Sequence, residues 1–128
     1  DLLRACARRH VPYKVVGDQD LERLTESTHH EGICIVARPK DMASLDDVLA
    51  VRGPSVLVLC ADVANPHNVG AILRGAAHFG ASGVLLAGAG RVPPAALRTA
   101  QGGAEWLDIV TVPDVREAVR KARNAGYE

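Results

Sequence analysis

The chain of 128 residues is 48% hydrophobic and 23% charged, and its 15 basic side chains are balanced by 15 acidic ones. This composition is typical of a globular protein, and a chain of this length buries roughly two thirds of its unfolded surface without disulfides or metal. A net charge of zero argues against an indiscriminate polyanion binder, because such binding depends on Lys and Arg neutralising phosphates. Aromatic residues make up only 3% of the chain, which disfavours a general single-strand binder that stacks bases.

Three cysteines, Cys6, Cys34 and Cys60, form an odd set without C-x-x-C spacing. This pattern favours a reduced, cytoplasmic protein over a secreted one. Cys34 and Cys60 lie in apolar runs and are predicted to be small buried side chains. No signal peptide and no apolar stretch of bilayer length is visible, so we expect no membrane span. The chain starts at Asp1 without Met, which suggests a fragment of a longer protein.

Helical and strand patterns alternate along the whole chain, which is typical of an α/β architecture with a largely parallel sheet. The elements predicted in the first part are a helix over 2–10, a strand over 11–16, a helix capped by Asp18 with Leu21 and Leu24 on one face, and a strand over 33–37. Pro39 and neighbouring charges interrupt the periodicity over 38–43, which is predicted to be a linker.

The second part begins with a capping box of Ser44 and Asp47, which predicts a short helix ending at Gly53. The apolar run over 55–60 predicts a central parallel strand covered on both faces. The remaining predicted elements are a helix capped by Asn68 with Val69, Ile72, Leu73 and Ala76 on its apolar face and ending at Gly80, a strand over 83–87, a short helix over 95–99, a strand over 109–112, and a helix begun by an Asp114–Glu117 capping box and ending at Gly126.

The segment from Asp62 to Arg74 carries most of the functional information. It lies between a buried strand and a helix, and ligands of open α/β sheets collect at that carboxyl edge. A polar, anionic group can be bound near the start of this helix by two amides, Asn65 and Asn68, together with a glycine and an arginine. The residues alone also allow an ordinary turn with a helix cap and a surface arginine.

The pattern N-x-x-N-x-G-x-x-x-R over 65–74, followed by Ala-Ala-His-Phe-Gly-Ala-Ser-Gly-Val-Leu-Leu, resembles the first motif of the SpoU (TrmH-type) ribose 2′-O-methyltransferases. Residues 100–105 resemble the Ser-Ala-Gly-Ala segment of that family, and the similarity covers about 54–128. Residues 1–40 are similar to the end of its L30e-like substrate-binding domain, with His30-Glu31-Gly32-Ile33 in the place of a usual His-Gln-Gly.

The resemblance implies an α/β fold: the first half of a Rossmann-like parallel sheet of the SPOUT (trefoil-knot) type, preceded by part of an L30e-like α/β domain. It divides the chain into a substrate-binding piece over 1–40, a linker and short helix over 41–53, and the first part of the methyltransferase domain over 54–128. The second and third motifs of the family are expected beyond Glu128, and with them the residues that bind S-adenosylmethionine. We therefore expect this chain alone to bind that cofactor poorly.

The activity that the resemblance implies is S-adenosylmethionine-dependent 2′-O-methylation of ribose in rRNA or tRNA, by a cytoplasmic protein that forms a homodimer when complete and needs no metal. The residues carried over are Arg74 and Asn68 as catalytic residues, and Asn65, His67 and Gly70 as substrate-binding residues. Arg74 would hold a phosphate and stabilise developing alkoxide charge, because a guanidinium is a poor general base. For Asn68, helix capping and substrate contact are both open.

Two alternatives remain. A non-catalytic RNA-binding relative or fragment would share the first motif and lack the parts that enclose the cofactor. A Rossmann-like nucleotide-binding enzyme is disfavoured because Gly88-Ala89-Gly90 lacks the third glycine of the dinucleotide fingerprint. His29 and His30 have no cysteine partner at metal-binding spacing. The basic residues of the last helix, Arg116, Arg120, Lys121 and Arg123, are interpreted as a solvated face in preference to an RNA-binding patch.

Overall fold

The computed structural model describes residues 2–38, 40–51, 53–88 and 90–128. Pro39 of the predicted linker, Ala89 of the predicted glycine turn, and residues 1 and 52 lie outside the described residues. The chain divides into two compact units, Asp1–Pro39 and Lys40–Glu128. Each unit is described by itself.

The first unit contains two helices, α1 (Leu2–Arg8) and α2 (Asp18–Thr25). The residue at the N-cap of α2 is Gly17, and no side chain caps this end. The prediction that Asp18 caps the helix is therefore wrong; Asp18 is the first helical residue, where its charge is favourable next to the positive end of the helix dipole. Leu21 is buried, whereas Leu24 is exposed, so only one of the two leucines on the predicted apolar face is buried.

The two strands predicted in the first unit, over 11–16 and 33–37, are not formed. A strand exists only where its backbone pairs with a neighbour, and an apolar or alternating run does not specify that neighbour. Among the described residues, all sheet pairing lies in the second unit. Ile35 and Val36 are accordingly 78% and 94% exposed. Cys34 is half-buried, so its predicted burial is wrong in degree, while Cys60 is buried as predicted.

The second unit is a parallel α/β sheet with helices on both faces. Its elements are α3 (Leu45–Leu49), β1 (Leu57–Cys60), α4 (Pro66–His78), β2 (Gly83–Ala87), α5 (Pro94–Ala100), a 3₁₀ turn (Gly103–Trp106), β3 (Asp108–Val112) and α6 (Val115–Asn124). The strand order is β1-β2-β3, and both pairings are parallel. The predicted α/β fold with a parallel sheet is confirmed.

Within the three described strands the central one is β2, and the run over 55–60, which was predicted to be a central strand, forms β1 at one side of this sheet. In the part of the chain that the structure describes, β1 pairs with β2 alone. Its first three residues are half-buried and only Cys60 is buried, whereas four residues of β2 are buried. An uninterrupted apolar run indicates that both faces of a strand are covered, and it does not show whether both edges are paired.

Alternate residues of each strand enter two different apolar cores, as the period-two geometry of a strand requires. One core contains Cys60, Val84, Leu86 and Ile109 from the sheet with buried residues of α4 and α5. The other contains Leu85, Val110 and Val112 with Val48 of α3 and Ala118 of α6. The sheet is thus the middle of three layers, and α4 and α5 lie together on one face.

The predicted capping boxes of α3 and α6 have different outcomes. The Ser44–Asp47 capping box is present with both of its hydrogen bonds. Asp114 caps α6 by accepting from the amide of Arg116, but Glu117 lies 3.8 Å from Arg120 instead of completing the predicted second box. No helix in the described part of the chain has the length and apolar character that a bilayer span needs.

Candidate active site

The helix that carries the candidate site, α4, is capped by Asn65 and not by the predicted Asn68. The Asn65 side-chain oxygen accepts a hydrogen bond of 2.9 Å from the backbone N–H of His67. Pro66 occupies the first helical position, where its missing N–H costs nothing and its fixed φ suits the helix. The amide before the proline is therefore the cap, and Asn68 lies within the first turn with an exposed side chain. The prediction that Asn68 caps the helix is wrong, and contact of Asn68 with the substrate stays a prediction.

Gly70 brings α4 against α5. A Cβ built at residue 70 would lie 2.5 Å from the backbone oxygen of Ala96 and 2.5 Å from Cβ of Thr99. These distances are far below van der Waals contact, so only glycine permits the two helices to lie this close. The close approach that Gly70 provides is therefore between two helices of the protein. The substrate-binding role carried over from the resemblance stays a prediction.

His67 is held by a threonine of α5. Its Nδ1 lies 3.2 Å from Oγ1 of Thr99, and the Thr99 hydroxyl donates its own hydrogen to the carbonyl of Ala95 at 3.0 Å. A hydroxyl has a single hydrogen, and when the Thr99 hydroxyl donates it to the Ala95 carbonyl, the Nδ1–H of His67 is the donor to Thr99. In the neutral ring Nε2 then carries the lone pair, and the exposed imidazole offers a hydrogen-bond acceptor at a fixed orientation.

Arg74 is exposed and carries an uncompensated charge. Its Nη1 donates a 3.1 Å hydrogen bond to Oε1 of Gln101. Among the described residues, no carboxylate oxygen lies within 4.0 Å of its guanidinium. The charge is therefore available to an anionic ligand, and one end of the guanidinium is held by a neutral amide.

The segment after α5 is pressed onto α4 beside Arg74. Gln101 and Gly102 both have positive φ, of 50° and 86°, and reverse the chain after the helix. A Cβ at Gly103 would lie 3.0 Å from Cα of Arg74. The sequence pointed to this segment as a motif, but its contact with Arg74 was missed because no local pattern encodes a pairing across 27 residues.

His67, Gly70 and Arg74 are spaced by three and four residues and so share one face of α4. This face meets α5 and the turn after it, through Thr99, Ala96 and Gln101. The structure thus brings three of the five predicted site residues into one row, with Asn65 at its start. His78, one turn beyond Arg74, packs edge-on against Phe79 with ring centroids 5.0 Å apart.

The turn after β2 offers open backbone at the carboxyl edge of the sheet. Gly88 has φ of +77°, and in the described part of the chain, apart from the immediate chain neighbours, no atom lies within 4 Å of the position where a Cβ of Gly88 or Gly90 would stand. A cavity of about 420 Å³ lies elsewhere, between the start of β1 and the end of α6, where Ser55 and Tyr127 share a 2.6 Å hydrogen bond. In the described ranges, no group of three or more His, Cys, Asp or Glu side chains is arranged to hold a metal ion.

These features define a Rossmann-like α/β protein with a candidate anion-binding site on one face of the helix that follows its first strand. The chain belongs to the SpoU rRNA Methylase family, whose sequence profile matches residues 55–128. The profile for RNA 2′-O ribose methyltransferase substrate binding matches residues 1–43. The family resemblance predicted from the sequence is confirmed.

Bacterial relatives match along nearly the whole chain. A protein of Escherichia coli O157:H7, named as the uncharacterized tRNA/rRNA methyltransferase YfiF, is 32% identical over 99% of the chain and 37% of its own length. An uncharacterized tRNA/rRNA methyltransferase of Haemophilus influenzae is 30% identical over 100% of the chain and 37% of its own length. The chain thus spans little more than a third of these relatives.

The structural comparison agrees with the family. The SpoU methyltransferase AviRb from Streptomyces viridochromogenes, solved in complex with the cofactor AdoMet, matches with a TM-score of 0.53 and 34% sequence identity. The match covers 62% of this chain and 32% of AviRb. The predicted SPOUT-type α/β fold is therefore confirmed.

Proposed function

We propose that the protein containing this chain transfers the methyl group of S-adenosylmethionine to the 2′-hydroxyl of ribose in rRNA or tRNA. The observation that carries the proposal is the exposed, unneutralised guanidinium of Arg74, which lies in a row with His67 on one face of α4. The proposal is supported by the family to which the chain belongs, by relatives named tRNA/rRNA methyltransferases, and by the AdoMet bound to AviRb.

Arg74 holds a phosphate of the RNA and stabilises negative charge as it develops on the 2′-oxygen. A guanidinium is a poor general base, so the hydroxyl proton passes to a phosphate oxygen or to water. His67 accepts a hydrogen bond from the ribose at Nε2, since Nδ1 is committed to Thr99. Asn65 fixes the start of α4, and Asn68, exposed in the first turn, contacts the nucleotide.

Among the described residues, the backbone that follows β2 has room for one side of the cofactor. S-adenosylmethionine supplies an electrophilic methyl group when bound, and its adenosine and amino-acid ends need hydrogen bonds. The unobstructed backbone at Gly88 and Gly90 follows β2, on the edge where ligands of such sheets lie. We assign these two glycines to the wall that faces the cofactor.

The rest of the chain has a separate task in this proposal. Residues 1–40 select the RNA, 41–53 link the two parts, and 54–128 begin the methyltransferase domain. The substrate-binding profile over residues 1–43 supports this division. The whole protein acts in the cytoplasm, on its RNA, as a homodimer.

The proposal is tested with the full-length protein, methyl-labelled S-adenosylmethionine and RNA from cells that lack the gene. After complete nuclease digestion, we expect the label in 2′-O-methylated nucleosides. Label in base-methylated nucleosides would contradict the ribose specificity. RNA binding without any transfer would instead support the non-catalytic alternative.

A further inference from the structure

The partner of Arg74 is a neutral side chain held in a constrained backbone conformation. Gln101 lies in the left-handed region, with φ of 50° and ψ of 47°, directly after α5. Its side-chain oxygen accepts the hydrogen bond from Nη1 of Arg74 at 3.1 Å. A non-glycine residue in this conformation is uncommon. Here the conformation of Gln101 directs the backbone after α5 back towards α4.

The location of Gln101 is fixed by close packing on both sides. On the α5 side of Gln101, Gly70 allows α4 and α5 to pack closely. On the other side, the backbone of Gly103 lies against Cα of Arg74. Ala100 and Ala104, which flank the turn, are buried. The amide of Gln101 is therefore carried by an anchored turn although its own side chain is exposed.

A neutral acceptor has a specific electrostatic consequence. A guanidinium has five N–H donors, and the bond to Gln101 uses one of them. A carboxylate at the same place would hold the guanidinium equally well but would cancel its charge and compete with phosphate. An amide orients the group and leaves the full positive charge to a ligand.

We infer that Gln101 is a positioning residue, which aims the Arg74 guanidinium at the RNA while leaving its charge uncompensated. The inference rests on the proposed function for the identity of the ligand. It assigns to Gln101 no contact with the reacting atoms, and its effect on methyl transfer runs through Arg74.

Two substitutions in the full-length protein separate orientation from charge. Gln101→Met has similar length and no acceptor, and Gln101→Glu keeps the acceptor and adds a negative charge. The first measurement is the binding of a fluorescent single-stranded RNA 20-mer over a salt series, without cofactor. Asn124→Asp adds the same charge on α6, where Asn124 is exposed, and is the matched control.

We expect Gln101→Glu to lower the salt slope by about 0.7, the loss of roughly one phosphate contact with a single strand. Gln101→Met and Asn124→Asp leave the slope at the wild-type value. In methyl transfer, Gln101→Met lowers kcat by about tenfold, because a charge-assisted hydrogen bond no longer orients the arginine. Its KM stays within about twofold, since the charge remains.

A double-mutant cycle supplies the decisive readout. In an Arg74→Ala background, Gln101→Met has nothing left to position and causes no further loss. An equal loss in both backgrounds overturns the inference, as does a wild-type salt slope for Gln101→Glu. If the wild-type protein transfers no methyl group, the proposed function fails, and the salt series alone still decides whether Gln101 governs the charge of Arg74.

Discussion

Gly70 lies so close to Thr99 that a Cβ added to Gly70 would stand 2.5 Å from Cβ of Thr99. This close approach sets the separation of α4 and α5. The two polar pairs of the candidate site, His67 with Thr99 and Arg74 with Gln101, connect α4 to α5 and to the turn after it. The geometry of the site therefore depends on a packing contact in which no functional group takes part.

Replacing Gly70 by alanine should lower the free energy of unfolding by about 1–3 kcal/mol, because the new methyl group meets a backbone oxygen that cannot move without the helix. Gly75 lies in the same helix, and a Cβ there would meet no atom of the described residues within 4 Å beyond the local backbone and chain neighbours of its own helix. Gly75→Ala should therefore raise stability by about 0.5–1 kcal/mol. Urea unfolding of both variants is the measurement, and equal stabilities would contradict the packing role of Gly70.

Thr99→Val should change the tautomer of His67. Valine has nearly the shape of threonine but offers no oxygen to Nδ1–H, so the neutral ring loses the bond that selects its present form. We expect ¹⁵N NMR to show the Nδ1–H form of His67 in the wild-type protein and a larger share of the Nε2–H form in the variant. The other histidines of the protein are internal controls. An unchanged tautomer ratio at His67 would show that Thr99 does not select it.

Asp47 should make stability depend on acid pH. Hydrogen bonds from the side chain and backbone of Ser44 hold the pKa of the Asp47 carboxyl below its usual range. The ionised form is thus favoured in the folded state, so the stabilisation is present above the ordinary aspartate pKa of about 3.9 and is lost as pH falls through the folded pKa. The melting-temperature difference between wild type and Asp47→Asn should be largest near neutral pH and shrink below about pH 4.

Ser44→Ala is the companion variant, because it removes the hydroxyl from the same pair. In its background, Asp47→Asn should have a smaller effect than in the wild type. Additive losses would show that the capping box does not act as a unit.

The basic residues near the start of the chain test the proposed RNA-selecting role of residues 1–40. Substituting glutamine for Arg4, Arg8, Arg9 and Lys14 in the full-length protein should weaken RNA binding and lower its salt slope by up to about 3. Affinity for the cofactor should not change. The matched control neutralises an equal number of charges on α6, namely Arg116, Arg120, Lys121 and Arg123. Equal losses in the two variants would remove RNA selection from residues 1–40.

The second unit was largely predictable because its signals are local. Ser44 and Asp47 predicted a cap, and the apolar spacing of Val69, Leu73 and Ala76 predicted the buried face of α4. The position of β1 at one side of the three described strands was not predictable, since strand order depends on pairing between segments distant in the sequence. The strands predicted around Val15 and Ile35 failed for the same reason: an apolar run specifies the ability to pair and not the partner.

The candidate site was predictable in its residues and not in its contacts. The motif identified Asn65, His67, Gly70 and Arg74, but no local pattern identifies their partners in α5 and the turn after it. The cap was misplaced because Asn65 and Asn68 are the same residue type, and only Pro66 distinguishes the two positions. Gln101 lies in a segment that the resemblance singled out, but no local pattern encodes its contact with Arg74 or the contact of Thr99 with His67. Both contacts follow from the packing of α5 against Gly70.

The central claim is that Arg74 serves ribose methylation by the full-length protein. The most direct measurement is mass-spectrometric mapping of 2′-O-methyl nucleotides in rRNA and tRNA from cells that lack the gene, complemented with wild type, Arg74→Ala or Arg74→Lys. We predict that at least one 2′-O-methylation is lost on deletion and restored by wild type only, because a lysine cannot reproduce the planar fork of the guanidinium. Both variants should melt as wild type does, since Arg74 is exposed. An unchanged methylation map after deletion, or full restoration by Arg74→Ala, would contradict the account.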